Sequence, residues 1–290
     1  SEMCIRDRCM IKLIISDMDG SLLHTDKTMP KGFFELIQKL KQQGILFAAG
    51  SGRQLASLQN SFQPVQKDMY FIAENGCITI DGSTQNVLDV HCLDKGYVKK
   101  FIEICRNIPD TYVVVCGRKS AYYEFKNEKI LLQHVTPYYF HHQQVEDITK
   151  VEDDILKLAV LNLQGTASHV YPNFETYLNN FNISVSAFEW MDIMAKDIHK
   201  GLGVQTLCKY LGIQKHEVMI FGDFMNDYEM LQEAYFSFAM KNALPEIKEI
   251  CNFETTFTND EDGVKYEIEY WLSNNQEKLR EYMENNEAFF

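Results

Sequence analysis

The chain has 290 residues, 46% of them apolar and 24% charged, a balance that suits a folded, enzyme-sized body and excludes a disordered or membrane-embedded chain. A net charge of −13 argues against a broad nucleic-acid or anionic-membrane surface, which clustered Lys and Arg would have to supply. Eight cysteines are scattered without a disulfide framework and no apolar run approaches the ~20 residues of a membrane span, so a cytoplasmic setting with reduced thiols is expected.

The opening Ser1 to Cys9 is polar and off-pattern; it is expected to lie outside the fold, with Met10 as a natural start. Residues 11–16 form a short apolar run that ends in a Gly-containing turn, the pattern of a strand buried on both faces of a parallel sheet. A helix-period segment over 30–43, a stop at Gly44 and a strand over 45–49 complete one strand-helix-strand unit. A second helix from Arg53, a strand over 70–73 and half a hairpin over 77–80 extend it.

Between 82 and 189 the texture changes to aromatic-rich strands over 112–116, 121–125 and 156–161, mixed with helical stretches near 94–107 and 166–179. This predicts an inserted α+β domain. From Lys200 the alternation resumes, with a helix to Leu211, a strand over 218–221, a helix after Asn226 and a strand over 236–239. The polar tail after Asn275 reads as a fraying helix. The fold class is therefore α/β: a doubly wound parallel sheet over 10–81 and 190–275, interrupted by a second domain over 82–189. In such sheets ligands bind outside the carboxyl ends of the strands, where Asp17 and Ser51 fall.

Asp17-Met-Asp-Gly-Ser places two carboxylates two residues apart on the turn leaving a buried strand. One can attack phosphorus to give an aspartyl-phosphate, while the other protonates the leaving oxygen and later activates water. A calcium loop is the competing reading, but it needs a Glu at its twelfth position, which is Thr28. Asp223 and, less directly, Asp227 in Gly222-Asp-Phe-Met-Asn-Asp227 can hold magnesium through carboxylate oxygens; Asn226 and Asp227 can equally cap the following helix. Ser51, in Ala49-Gly-Ser-Gly-Arg53, sits between a strand and a helix, where a hydroxyl and free amides can bind phosphate. Lys200 opens a predicted helix, a poor place for a cation unless it has another task such as neutralising a phosphoryl group.

Together, Asp17-Met-Asp-Gly-Ser, Gly50-Ser-Gly-Arg53, Lys200-Gly and Gly222-Asp-x-x-Asn-Asp227 resemble the four ordered motifs of the haloacid dehalogenase superfamily. Glu74-Asn-Gly76, Met240-Lys-Asn-Ala243 and Asn259-Asp-Glu-Asp-Gly-Val264 are similar to marks of its Cof-type branch of sugar-phosphate phosphatases. The resemblance implies a Rossmann-like core with a large cap inserted after the second motif. It implies Asp17 as nucleophile and Asp19 as acid/base, with Mg²⁺ held by Asp17, the Asp19 carbonyl and Asp223. It also implies phosphate contacts from Ser51, Gly52, Lys200, Asn226 and the backbone at Met18, with Asp227 and Asn242 in support. Ser21 stands where Thr is commoner and Lys241 where Gly is, departures that remove no reacting group.

The expected activity is therefore Mg²⁺-dependent hydrolysis of a small phosphorylated metabolite: a sugar phosphate, a nucleotide or a phosphorylated cofactor. A phosphomutase, or a phosphometabolite sensor without turnover, is the alternative. Tyr122, Tyr123, Tyr138, Tyr139, His141 and His142 of the inserted domain are read mainly as packing or surface groups, and as candidates to contact the substrate's organic part.

Overall fold

The computed structural model describes residues 11–286; the expected leader and Met10 lie outside them. The chain first lays down β1 (Leu13–Asp17), β2 (Leu46–Gly50), β3 (Tyr70–Ala73), β4 (Ile78–Asp81) and β5 (Val87–Val90). It then builds β6 (Thr111–Gly117), β7 (Ala121–Tyr123), β8 (His142–Gln144), β9 (Ile155–Asn162), β10 (Phe181–Val185) and β11 (Trp190–Ala195). Finally it returns with β12 (Val218–Gly222), β13 (Phe236–Ala239) and β14 (Phe253–Glu254).

Among the described residues these strands form two sheets. The first has the order β14-β13-β12-β1-β2-β3-β4-β5 and is parallel from β14 to β3, with β4 and β5 added antiparallel as a hairpin edge. Every residue of β1 is buried, as a strand covered on both faces requires. Leu13 and Ile15 face one layer, with Val204 and Leu207 of the helix Lys200–Leu211; Ile14 faces the other, with Phe33, Leu36, Ile37 and Leu40. Those four recur at i, i+3, i+4 and i+7, which makes the helix Phe33–Gln42 one-sided, and Gly44 in a left-handed conformation ends it. The C-terminal helix Gly263–Glu284 adds Val264, Ile268 and Leu272 to the same layer.

The chain runs outward from β1 in both directions, to β2 and β3 on one side and to β12 and β13 on the other. The carboxyl end of β1 is therefore a topological switch point, where the flanking loops diverge and leave a crevice. Asp17 is the last residue of β1.

The second sheet, β10-β11-β9-β6-β7-β8, is antiparallel except for the β7–β8 pair. One face packs on the helix Lys95–Arg106 and the turns after Thr166; the other is covered by the chain's own segment through Val135 and Tyr139. Two expectations change. The stretch 166–179 is a helical turn, Thr166–His169, followed by a tighter one, Tyr171–Tyr177, because Pro172 lacks the amide a continuous α-helix needs. The ends of the insertion also differ from 82 and 190: β5 belongs to the first sheet and β11 to the second, each recruited by a hairpin partner.

The two bodies are joined by a buried ion pair. Lys157 on β9 reaches Glu74, just after β3, at 2.9 Å and lies 3.7 Å from Asp192 on β11. Lys157→Met would strand the Glu74 carboxylate and destabilise the protein by about 3–5 kcal/mol, whereas adding Glu74→Gln should recover most of that loss. Urea unfolding of wild type, single and double variants measures it; a double variant as unstable as Lys157→Met would refute the stranded charge as the cause.

Candidate active site

The first sheet delivers its chemistry at the carboxyl ends of three neighbouring parallel strands. Asp17 ends β1, Ser51 follows β2 and Asp223 follows β12. Lys200, the first residue of its helix, has 0% exposure, and its ammonium lies 2.6 Å from Asp17 Oδ1 and 2.6 Å from Asp227 Oδ1. Asp227 Oδ2 accepts from the amides of Asp223 and Phe224 at 3.0 and 3.3 Å, so this carboxylate braces the turn that carries Asp223 while it anchors Lys200.

Asp17, Asp223 and Asp227 each offer an oxygen within 4.8 Å of the others'. Three carboxylates beside one ammonium carry excess negative charge. Burial, and then the charge of Asp227, push the Asp17 carboxyl well above the ordinary range, with Lys200 opposing. Burial and Asp227 likewise push Asp223 up to about 6, against a 2.9 Å hydrogen bond from Ser21 Oγ. Burial alone would lower Lys200, yet the charges of Asp17 and Asp227 hold it above its usual value. An all-oxygen donor set with surplus negative charge fits a hard divalent cation.

Asp19 is the more open carboxylate. Arg53 grips it with both ends of its guanidinium, Nε to Oδ2 at 2.8 Å and Nη2 to Oδ1 at 2.7 Å, and Lys27 Nζ adds a bond of 2.8 Å. Burial raises its pKa, but these bonds and charges outweigh it and keep the carboxyl below the usual range. A cavity of about 480 Å³ opens beside Asp19 and Gly20, lined also by Thr25, Lys27, Asn242 and Asp260. That volume suits a small molecule.

The remaining predicted site residues fall around this centre. Ser51 is buried, and its Oγ accepts from the amide of Arg53 at 3.2 Å, which leaves the hydroxyl proton free to donate. Asn226 is exposed and donates to Asn75 Oδ1 at 3.3 Å. Asn242 donates to the Gly20 carbonyl at 2.7 Å and so supports the first turn. The Met18 side chain is in the core, so only its backbone can face a ligand. Of the inserted domain's aromatic candidates, Tyr122 bonds Asp153, Tyr139 accepts from Cys116, and both are buried, whereas Tyr138 is exposed against Trp190.

A sequence profile of haloacid dehalogenase-like hydrolases matches residues 14–268. The chain belongs to this family. An Escherichia coli relative, 5-amino-6-(5-phospho-D-ribitylamino)uracil phosphatase YbjI, is 32% identical over 235 residues, covering 80% of this chain and 86% of its own. The Bacillus subtilis protein of the same descriptive name, YitU, is 26% identical, covering 90% and 97%. A crystal structure from Eubacterium rectale is 26% identical and superposes with a TM-score of 0.81 over 91% of this chain and 100% of that one.

In this hydrolase three polar groups at the site escaped the sequence reading. Arg53 was visible as the end of Gly-Ser-Gly-Arg, but its partner Asp19 lies 34 residues away. Lys27 carried no signal beyond following the Asp-Gly turn, and Asn75 none beyond its place in Glu-Asn-Gly. The fit at Gly20 is tight: φ is +86°, and an added Cβ would lie 2.3 Å from Asp223 Oδ2. Gly20→Ala is therefore expected to displace Asp223 and weaken divalent-cation affinity by about 10–100-fold, the range seen when supporting groups of a metal site are lost. Calorimetric titration with Mg²⁺ on folded protein measures this; unchanged affinity would mean that Asp223 takes no part in holding the ion.

Proposed function

We propose that this hydrolase removes phosphate from a small phosphorylated metabolite through an aspartyl-phosphate on Asp17, with Mg²⁺ as cofactor. The observation that carries the reading is the Lys200 ammonium, buried between Asp17 and Asp227 at the sheet's switch point. A lysine there neutralises charge where a carboxylate would meet a phosphate.

Asp17 Oδ1 is fixed by Lys200, which leaves Oδ2 to attack phosphorus. As the new O–P bond forms, the bond to the leaving oxygen breaks and Asp19 gives that oxygen a proton. Asp19 then takes a proton from water, which attacks phosphorus, releases phosphate and restores the Asp17 carboxylate. The grip of Arg53 and Lys27 favours charged Asp19, the form that activates water. Ser51, the Gly52 backbone, Asn226 and Lys200 would hold the phosphoryl oxygens. Mg²⁺, held by Asp17, the Asp19 carbonyl and Asp223, would offset the repulsion between two anions. Asp227 has both oxygens engaged and serves as the brace for Lys200 and the Asp223 turn.

The insertion acts as a cap that selects the organic part of the substrate. The names of the Escherichia coli and Bacillus subtilis relatives nominate a phosphorylated ribitylaminouracil as the first compound to test. Free thiols at all six described cysteines support a cytoplasmic setting.

Phosphate release should require Mg²⁺, disappear on chelation and fall by about a thousandfold or more in Asp17→Asn, some 4 kcal/mol of activation free energy. In ¹⁸O-water the released phosphate should carry the label. Measurement across sugar phosphates, nucleotides, flavin mononucleotide, pyridoxal phosphate and the ribitylaminouracil phosphate decides it. Full activity in Asp17→Asn would exclude the covalent route.

A further inference from the structure

The turn Glu74–Gly76 is absorbed by none of these roles, yet it touches the Ser51–Arg53 loop, Asn226 and the start of the Lys200 helix. Its three residues all have positive φ, at 50°, 56° and 97°. Glycine adopts that region freely and asparagine tolerates it, but glutamate rarely does, so the conformation persists only where its surroundings enforce it.

Those surroundings are specific. The Glu74 amide donates to the Arg53 carbonyl at 3.1 Å and the Asn75 amide to the Ser51 carbonyl at 3.0 Å, so the turn is bonded along the phosphate loop. Asn75 Oδ1 accepts from Asn226 Nδ2 at 3.3 Å. An added Cβ on Gly52 would lie 2.9 Å from that same Oδ1, so the carboxamide lies flat against the Gly52 backbone. Gly76 packs on the residue before Lys200, where an added Cβ would fall 2.2 Å from the His199 carbonyl. Glu74 completes the set through Lys157, whose Nζ also donates to the Gly52 carbonyl at 3.3 Å.

We propose that Asn75 is a positioning residue for phosphoryl recognition: its carboxamide, packed on the Gly52 backbone, holds the Asn226 side chain in the arrangement that receives the phosphate oxygens. The inference rests on the reading of Asn226 as a phosphate-binding group. Asn75 makes no contact with the carboxylates that react; it acts through Asn226. Its neighbours explain the choice of residue, because asparagine combines an acceptor oxygen on a short side chain with tolerance of a left-handed backbone.

Asn75→Gly is the informative variant, since glycine keeps the backbone conformation and deletes only the carboxamide. Binding of inorganic phosphate in the presence of Mg²⁺ is measured by calorimetry on wild type, Asn75→Gly, Asn226→Ala and the double variant, with thermal unfolding in parallel. Asn75→Gly is expected to weaken phosphate binding about tenfold, and to raise KM far more than it lowers kcat. In the Asn226→Ala background it should add less than about twofold, because its effect passes through Asn226. Unchanged phosphate affinity in Asn75→Gly, or a full tenfold effect in both backgrounds, would overturn the proposal. Because phosphate binding needs no turnover, wild type that binds phosphate without releasing it from any ester would sink the hydrolase reading and leave this test intact.

Discussion

A fully buried ammonium is tolerable only when anions surround it, and Lys200 has two at 2.6 Å. Desolvation of one ammonium costs several kcal/mol, and an equal sign of charge at the positive end of a helix adds to that cost. The arrangement therefore stands or falls with Asp17 and Asp227 together. Each carboxylate is in turn held by something else: Asp17 by the last bond of a fully buried strand, Asp227 by two amides of the turn it follows. The result is a closed set of constraints in which the position of Asp17, the Asp223 turn and the start of the helix at Lys200 fix one another.

The sheet makes this set possible. Parallel strands all release their chains at the same edge, so residues far apart in sequence meet without long side chains having to cross the interior. Asp17 and Lys200 are 183 residues apart, yet β1 and β12 are neighbours in register and the Lys200 helix lies on their shared face. The insertion leaves the chain after β5 and rejoins it at the Lys200 helix, so it interrupts none of the parallel strands β1, β2, β3, β12, β13 and β14. That is the physical reason a large second body can be added without disturbing the chemistry.

The strand ends were legible in the sequence because their signal is local: an apolar run, then a carboxylate or a Gly-Ser turn. The run before Asp17 and the one before Gly222 could be read without any knowledge of what they pair with. Partners across the fold had no such signal. Arg53 meets Asp19, and Lys157 meets Glu74 across 83 residues, through tertiary placement alone. The assignment of β5 and β11 failed for a related reason, since a four- to six-residue strand looks the same whichever sheet it joins. The stretch 166–179 is helical as its apolar spacing indicates, but Pro172 divides it into two short pieces.

The two bodies meet on both flanks of the Ser51–Arg53 loop, through contacts of unequal strength. On one side Gln54 and the backbone of His141 exchange two hydrogen bonds, at 2.7 and 3.1 Å, and Ser57 Oγ adds two more, to the Tyr138 carbonyl at 3.0 Å and from the Phe140 amide at 2.9 Å, all between neutral groups. On the other, Lys157 is buried between Glu74, Asp192 and the Gly52 carbonyl. Neutral bonds at an edge exchange readily for bonds to water, with little net cost. Separating a buried ion pair exposes two charges to a dry interior and costs far more. The Lys157 flank is therefore the costlier of the two to part, and it is the one that holds the Gly52 carbonyl and the Glu74–Gly76 turn.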